Sequence, residues 1–173
     1  MIYEHHAKRP SIAADCFIAP SADLIGDVTL QARVSIWYGA VVRADVNSIT
    51  IARETNVQDN AVLHVTAEHN LRIGERCTIG HGAIVHACTI GDRCLIGMGA
   101  IILDGAVIGE DSLVAAGTVV PPNKHFPPRS LLIGSPAKVV RTLSDEDLAL
   151  MGENVDEYLR LSGDARSVVD TKS

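Results

Sequence analysis

Aliphatic residues recur at every sixth position along most of this chain. The series runs Ile12, Ile18, Leu24, Leu30, Ile36 and Val42, then Ile51, Val57 and Leu63, then Ile73, Ile79 and Val85, and last Ile90, Ile96, Ile102, Ile108, Val114 and Val120. Two positions before most of these rungs sits a small residue, among them Cys16, Ala22, Ala40, Thr55, Ala61, Cys77, Ala83, Cys88, Cys94, Ala100, Ser112 and Thr118. A fixed repeat of this length names an architecture directly, because each unit is too short to bury its apolar face alone and must stack on its neighbours. One large and one small inward residue per hexad predict a short strand followed by a tight turn. Three hexads close a triangular coil. The fold class expected is an all-β solenoid of about six coils, with strands of adjacent coils ~4.8 Å apart.

The count breaks three times. Three residues are added between Val42 and Ile51, four are added between Leu63 and Ile73, and one is missing between Val85 and Ile90. Added residues must loop out of the coil, and such loops are where solenoids place functional groups. After Val120 the series stops at Pro121 and Pro122, and Pro127 with Pro128 predicts an extended connector. The period then changes. Ser144 and Asp147 have the spacing of a capping box, and Leu148, Met151, Val155, Tyr158 and Leu159 share one helical stripe. A helix is expected here, packed back along the prism and ended by Gly163, with a frayed polar tail to Ser173. The organisation expected is a β-solenoid over residues 1–141, with a helix and tail over 142–173 packed on the same domain.

Composition narrows the picture. Hydrophobic residues make up 47% of the chain but aromatics only 3%, so the interior is filled by aliphatic and small side chains, as a narrow prism requires. A net charge of −6 without Lys/Arg runs argues against a nucleic-acid partner. No apolar run is long enough to span a membrane, and the opening MIYEHHAKRP lacks a signal-peptide layout, so a cytoplasmic location without membrane partner is expected. All four cysteines, Cys16, Cys77, Cys88 and Cys94, occupy the small inward position and read as buried small hydrophobes rather than disulfides or metal ligands.

The same count places the histidines. His5 and His6 precede the first rung and read as exposed, His69 lies in the four-residue insertion beside Glu68 and reads as solvated, and His125 lies in the Pro-rich connector with no partner in sequence. His64 follows rung Leu63 and His86 follows rung Val85, three faces later. They occupy the same outward position one coil apart, where two imidazoles can share a metal ion bound at ~2.0–2.1 Å. His81 lies at the corner before the strand that His86 ends, up to ~16 Å away along the face. One prism therefore does not converge all three, whereas a closed cyclic oligomer can bring a neighbour's His81 to the pair. Three imidazoles leave a fourth position for water, the arrangement of catalytic rather than structural zinc. Arg43 and Gln58 follow rungs Val42 and Val57 and are expected on other faces than the pair, with Asp45 and Asp59 beside them. These charges read either as a surface ion pair or as groups that fix the oligomer and orient the site.

Four segments, VVRADV (41–46), TNVQDNAVLH (55–64), IGHGAIVHACTIGDRCLIGMGAIILDGAVIG (79–109) and GSPAKVVR (134–141), resemble the γ-class carbonic anhydrase-like family of the hexapeptide-repeat superfamily. The resemblance covers residues ~10–160, and the spacing of sixteen and four residues between His64, His81 and His86 is specific to it. It implies a left-handed parallel β-helix, a homotrimer, and zinc, iron or cobalt held by His64 and His86 of one subunit and His81 of the next. It implies that Gln58 hydrogen-bonds the metal-bound hydroxide, which attacks CO2 to give bicarbonate, and that Arg43, Asp45 and Asp59 form salt bridges near the site. Two positions depart from the family pattern. Val46 stands where the well-characterised members carry glutamate, and the segment VTAEHNLR (65–72) is shorter than their acidic loop, leaving Glu68 and His69 as proton-shuttle candidates. Three alternatives therefore stand beside carbonic anhydrase: a metal-assisted acyl-CoA thioesterase, a metal-free hexapeptide acyltransferase, and a non-catalytic trimeric scaffold.

Overall fold

A computed structural model of the chain describes residues 1–170, with only the backbone for 166–170. It is a left-handed parallel β-solenoid of about seven turns carrying one C-terminal helix. Every rung from Leu24 to Val120 is buried, and Ile12 and Ile18 at the open end are half-buried. Burying each such side chain contributes about 1.5–3 kcal/mol, and the repeat multiplies that gain along a continuous core. The left hand departs from the general right-handed preference of β-crossovers. Here the connection between strands is a tight corner rather than a packed helix, so the steric basis of that preference is missing.

The prism has three faces. One stacks the first halves of Asp23–Leu30 and Val41–Ile51 under Val62–His64, Ile84–His86, Ile101–Ile102 and Val119–Val120. The second stacks the latter halves of the two long strands under Leu71–Ile73, Thr89–Ile90, Val107–Ile108 and His125–Phe126. The third runs from Phe17–Ile18 through Asn56–Val57 and Thr78–Ile79 to Ser130–Gly134, which pairs antiparallel with Ala137–Thr142. At the corner leading into the third face, Arg33, Glu54, Arg76, Arg93, Asp111 and Arg129 adopt positive φ. Five of their amides bond to carbonyls one coil below, as in Arg76 N to Arg53 O at 2.9 Å and Arg93 N to Glu75 O at 2.8 Å, and Arg33 N donates to Asp15 Oδ1 at 3.1 Å. Those bonds offset the cost of left-handed backbone in residues with side chains.

The small inward column is also a hydrogen-bonded one. Thr55 Oγ1 donates to Gly74 O at 2.8 Å, Cys77 Sγ to Gly91 O at 3.1 Å and Cys94 Sγ to Gly109 O at 3.2 Å. Cysteine thus serves where threonine or serine serves in other coils. Burial pushes the Cys77 and Cys88 thiols up, so they remain protonated and unreactive at neutral pH.

Two expectations are corrected. The hexads do not stop at the prolines: Phe126 pairs with Ile108 and Leu132 with Val114, six and twelve residues beyond Val120. Pro121 and Pro122 sit in a turn, where a missing amide costs no ladder bond, and the last coil is open enough to take a phenylalanine. His125 accordingly lies in a strand rather than a connector. The helix also runs on through Gly163, from Asp145 to Asp170. A glycine in a helix costs about 1 kcal/mol, and the packing of Tyr158, Leu161 and Ala165 against the core outweighs it. Of the expected tail, residues 171–173 lie outside the described residues. The capping box is present: Asp147 N donates to Ser144 Oγ at 3.2 Å and Ser144 N to Asp147 Oδ2 at 2.7 Å. Met151 and Val155 are buried beneath the helix, which packs on the third face at Phe17–Ile18, Ser35–Ile36 and Asn56–Val57.

Two glycines separate backbone strain from close approach. A Cβ on Gly97 meets Ala116 N at 2.5 Å and Val114 O at 2.8 Å, all rigid backbone, whereas Gly99 has open space but a φ of +64°. Gly97→Ala is expected to cost roughly 3 kcal/mol, the upper end for overpacking, and Gly99→Ala about 1 kcal/mol, from left-handed strain alone. Urea unfolding of the two variants checks the order; equal costs would show that the coils do not pack as described.

Candidate functional site

The register brings His64 and His86 together as the count requires. His86 is the ladder partner of His64, and Arg43 is the partner of His64 on the other side. Arg43 therefore shares the face of the histidine pair, correcting its expected placement elsewhere. Residues 45–48 bulge at the corner opposite Gly26–Val28 and add no face, so Val42 lies three rungs before Leu63, one full coil, and the six-residue count itself places Arg43 here.

A continuous polar chain results along one prism edge. Arg43 bonds Asp45, whose Oδ1 lies 3.0 Å from His64 Nε2. His64 Nδ1 faces His86 Nε2 at 3.0 Å, and His86 Nδ1 bonds the Asp104 carboxylate. Burial works to raise the Asp45 pKa, but hydrogen bonds from His64, its own backbone and Arg43 outweigh it and hold the carboxyl below its usual value. Both carboxylates accept hydrogen bonds, so they draw N–H onto His64 Nε2 and His86 Nδ1. The facing nitrogens are then both lone pairs, 3.0 Å apart. A shared proton or a bound metal cation between them satisfies such an arrangement. The separation is close to the roughly 3.4 Å between two nitrogens bonded at about 2.1 Å to one tetrahedral ion, and carboxylate-backed imidazoles are the usual ligands of such ions. The donor set thus fits half of a metal site. Among the described residues no group of three or more His, Cys, Asp or Glu side chains is placed to hold a metal within one chain.

His81 lies at the other end of the same face, in the turn before Ile84–His86. Its Nδ1 is 3.0 Å from Asp59 Oδ2, its Nε2 is 3.3 Å from Tyr158 Oη, and its amide donates to Gln58 Oε1 at 3.2 Å. Gln58 is buried, and its Nε2 donates to Asn56 Oδ1 at 3.1 Å. Asn56 in turn donates to Thr78 Oγ1 at 2.9 Å, which contacts Asn154 of the helix at 3.0 Å. Burial first, then the negative charge of Asp59, raises the Tyr158 pKa, so its hydroxyl stays a neutral donor. The residues singled out from the sequence therefore fall into two half-sites: Arg43, Asp45, His64 and His86 at one corner, Gln58, Asp59 and His81 at the other. Asp104 and Tyr158 were missed as site residues. Asp104 lay in an ordinary Asp-Gly turn, and Tyr158 was legible only as part of the helix stripe. The glutamate and histidine of the insertion, Glu68 and His69, are exposed, and Asn47 Nδ2 ties that loop down through Thr66 O at 3.1 Å.

Comparison with known proteins adds a lineage. A carbonic anhydrase of Geobacillus kaustophilus is 43% identical over 159 residues, covering 92% of this chain and 87% of that protein. The chain belongs to the γ-carbonic anhydrase-like family of the hexapeptide-repeat superfamily. Within that family, mitochondrial gamma carbonic anhydrase 2 of Arabidopsis thaliana is 41% identical over 90% of this chain, which spans 58% of the plant protein's length. A Bacillus cereus structure described as a putative acetyltransferase is 41% identical, with a TM-score of 0.95 over 97% of this chain and 98% of that one. The family model "Bacterial transferase hexapeptide (six repeats)" matches residues 87–122. No described helix is long and apolar enough to cross a membrane.

The tautomers are open to direct measurement. Nitrogen-15 spectra of the histidine rings are expected to show His64 protonated at Nε2 and His86 at Nδ1, and Asp104→Ala to move the His86 proton toward Nε2. A wild-type His86 protonated only at Nε2 would contradict the arrangement.

Proposed function

We propose that the chain assembles into a closed trimer in which His64 and His86 of one copy and His81 of the next hold a divalent metal, zinc with iron or cobalt as alternatives. The observation that carries this reading is the pair of carboxylate-backed imidazoles whose free nitrogens face each other at 3.0 Å. A second observation supports association. Outward along the same face run Val41, Val62, Ile84, Ile101 and Val119 in register, with Val62 and Ile84 each 39% exposed. A parallel sheet with aliphatic residues on both sides is one that packs on both sides.

A divalent ion at such a site supplies an activated water near neutral pH. The chain's own residues do the rest. Asp45 and Asp104 fix the ring orientations, and Asp59 fixes that of His81. Gln58 holds the His81 corner through Oε1, and its amide group would orient the attacking water or the substrate oxygen. The substrate class is a small molecule with an electrophilic carbonyl carbon: CO2, hydrated to bicarbonate, or an acyl thioester. Cytoplasmic location and the absence of nucleic-acid and membrane partners remain part of this proposal.

Metal-free acyl transfer is the competing reading, favoured by the His86–Asp104 pair, which has the form of a general base oriented by a carboxylate. Acyl chemistry also has the wider support among the comparisons, since both the matched repeat model and the Bacillus cereus structure carry transferase names. Chelation separates the readings. Stopped-flow CO2 hydration and thiol release from a panel of CoA thioesters are expected to fall to background on metal removal and to return with zinc or iron. Turnover that survives chelation establishes the acyltransferase, and trimer dissociation without any turnover establishes a scaffold.

Subunit mixing tests the shared site itself. His64→Ala and His81→Ala chains are each expected to bind little metal, while mixed trimers regain one intact site at each interface that pairs the two mutants correctly. Mixed trimers that bind no more metal than either parent would overturn the intersubunit assignment.

A further inference from the structure

The first eight residues do more than start the chain. Ile2–Tyr3 pairs with Leu24–Ile25, and the backbone then reverses over His6 and Ala7, with φ of 48° and 60°. The reversal is closed by His5 N to Lys8 O at 2.9 Å and Lys8 N to His5 O at 3.0 Å. Two consecutive left-handed residues without a glycine are uncommon, and such a turn persists only when its surroundings hold it. Here a Lys8–Asp27 ion pair pins it to the prism. Through His5, His6 and Lys8 the hairpin forms part of the wall of a solvent-open cavity of about 370 Å3, lined also by Asp27, Asp45 and Asn47. At roughly 30 Å3 per water, that cavity has room for a short chain of solvent.

Asp45 joins this cavity to the histidine pair, since its carboxylate also accepts from His64 Nε2. The residue after it, Val46, lines the same cavity and carries no exchangeable proton. The two imidazoles opposite lie 4.2 Å apart, ring centre to ring centre. We infer that His5 and His6 are the proton exit of the proposed site, carrying protons to solvent from the cavity beside Asp45, the carboxylate that contacts His64. The inference rests on the functional reading above. Hydration of CO2 turns water and CO2 into bicarbonate and one proton, so each turnover must export that proton. Imidazole is the side chain that takes up and releases a proton near neutral pH. His5 or His6 accepts the proton on a ring-nitrogen lone pair, and the imidazolium returns it to buffer, so nothing else is consumed. The charged groups facing them are Lys8, Asp27 and Asp45.

The test uses the full-length, metal-loaded protein. His5→Gln/His6→Gln is expected to lower kcat for CO2 hydration on the order of 10- to 100-fold in weak buffer, to leave kcat/KM unchanged, and to recover as imidazole buffer is added. An unchanged kcat, or kcat and kcat/KM falling together without imidazole rescue, overturns the relay. A second measurement does not depend on turnover. The ring NMR resonances of His5 and His6 are expected to move in Asp45→Asn, because a group lining their cavity is changed; resonances that do not move overturn the inference. Wild-type protein without metal-dependent hydration would sink the CO2 reading by itself, and the ring resonances would still decide whether the two rings communicate with Asp45.

Discussion

Everything in this molecule depends on stacking one aliphatic side chain per strand directly above its counterpart in the coil below. Parallel strands spaced ~4.8 Å apart bring each Ile, Leu or Val into contact with the next in its column, and the core becomes one continuous rod rather than a set of local clusters. The price is narrowness. With three short faces per coil the interior accepts one large and one small residue per face, which explains the scarcity of aromatics and the confinement of Cys77 and Cys94 to positions where Thr55 and Ser112 do the same work.

The constraint that builds the core also builds the site. Register inside the prism is register outside it. Because Leu63 stacks on Val85, His64 stacks on His86 and Arg43 on His64. The insertions leave that register intact by bulging at corners, and the corners are where Asp45, Asp104 and His81 lie. Each histidine is thereby given a carboxylate: Asp45 for His64, Asp104 for His86, Asp59 for His81. A rigid solenoid thus holds imidazole orientation without help from a ligand, and it does so at both ends of one face.

The separation of the two ends has a functional cost and a functional use. No single chain closes the constellation, so the chemistry we propose is tied to assembly. The outward aliphatic column of Val41, Val62, Ile84, Ile101 and Val119 lies between the half-sites, so the surface that would drive association is the one that would bring them together. The C-terminal helix takes part from the other side. Tyr158 and Asn154 reach the His81 corner, joining the C-terminal helix to the position of the third imidazole.

The six-residue period was sufficient to deduce the coil, the inward column, the stacking of His64 on His86 and the isolation of His81, because a fixed repeat converts sequence distance into spatial position. The capping box at Ser144 and the helix stripe were legible for the same kind of reason, being local patterns. The count failed where an aromatic rung, Phe126, replaced an aliphatic one, and where packing carried the helix past Gly163. Arg43, by contrast, obeys the period, since Val42 lies three rungs before Leu63 and therefore on the same face. What only the tertiary structure decided was which polar groups meet across coils: Asp104 on His86, Tyr158 on His81, and His5 and His6 on the cavity of Asp45. These contacts join residues 18 to 77 positions apart in the case of the two imidazole bonds, and they depend on side-chain reach at the corners, which no period along the chain encodes.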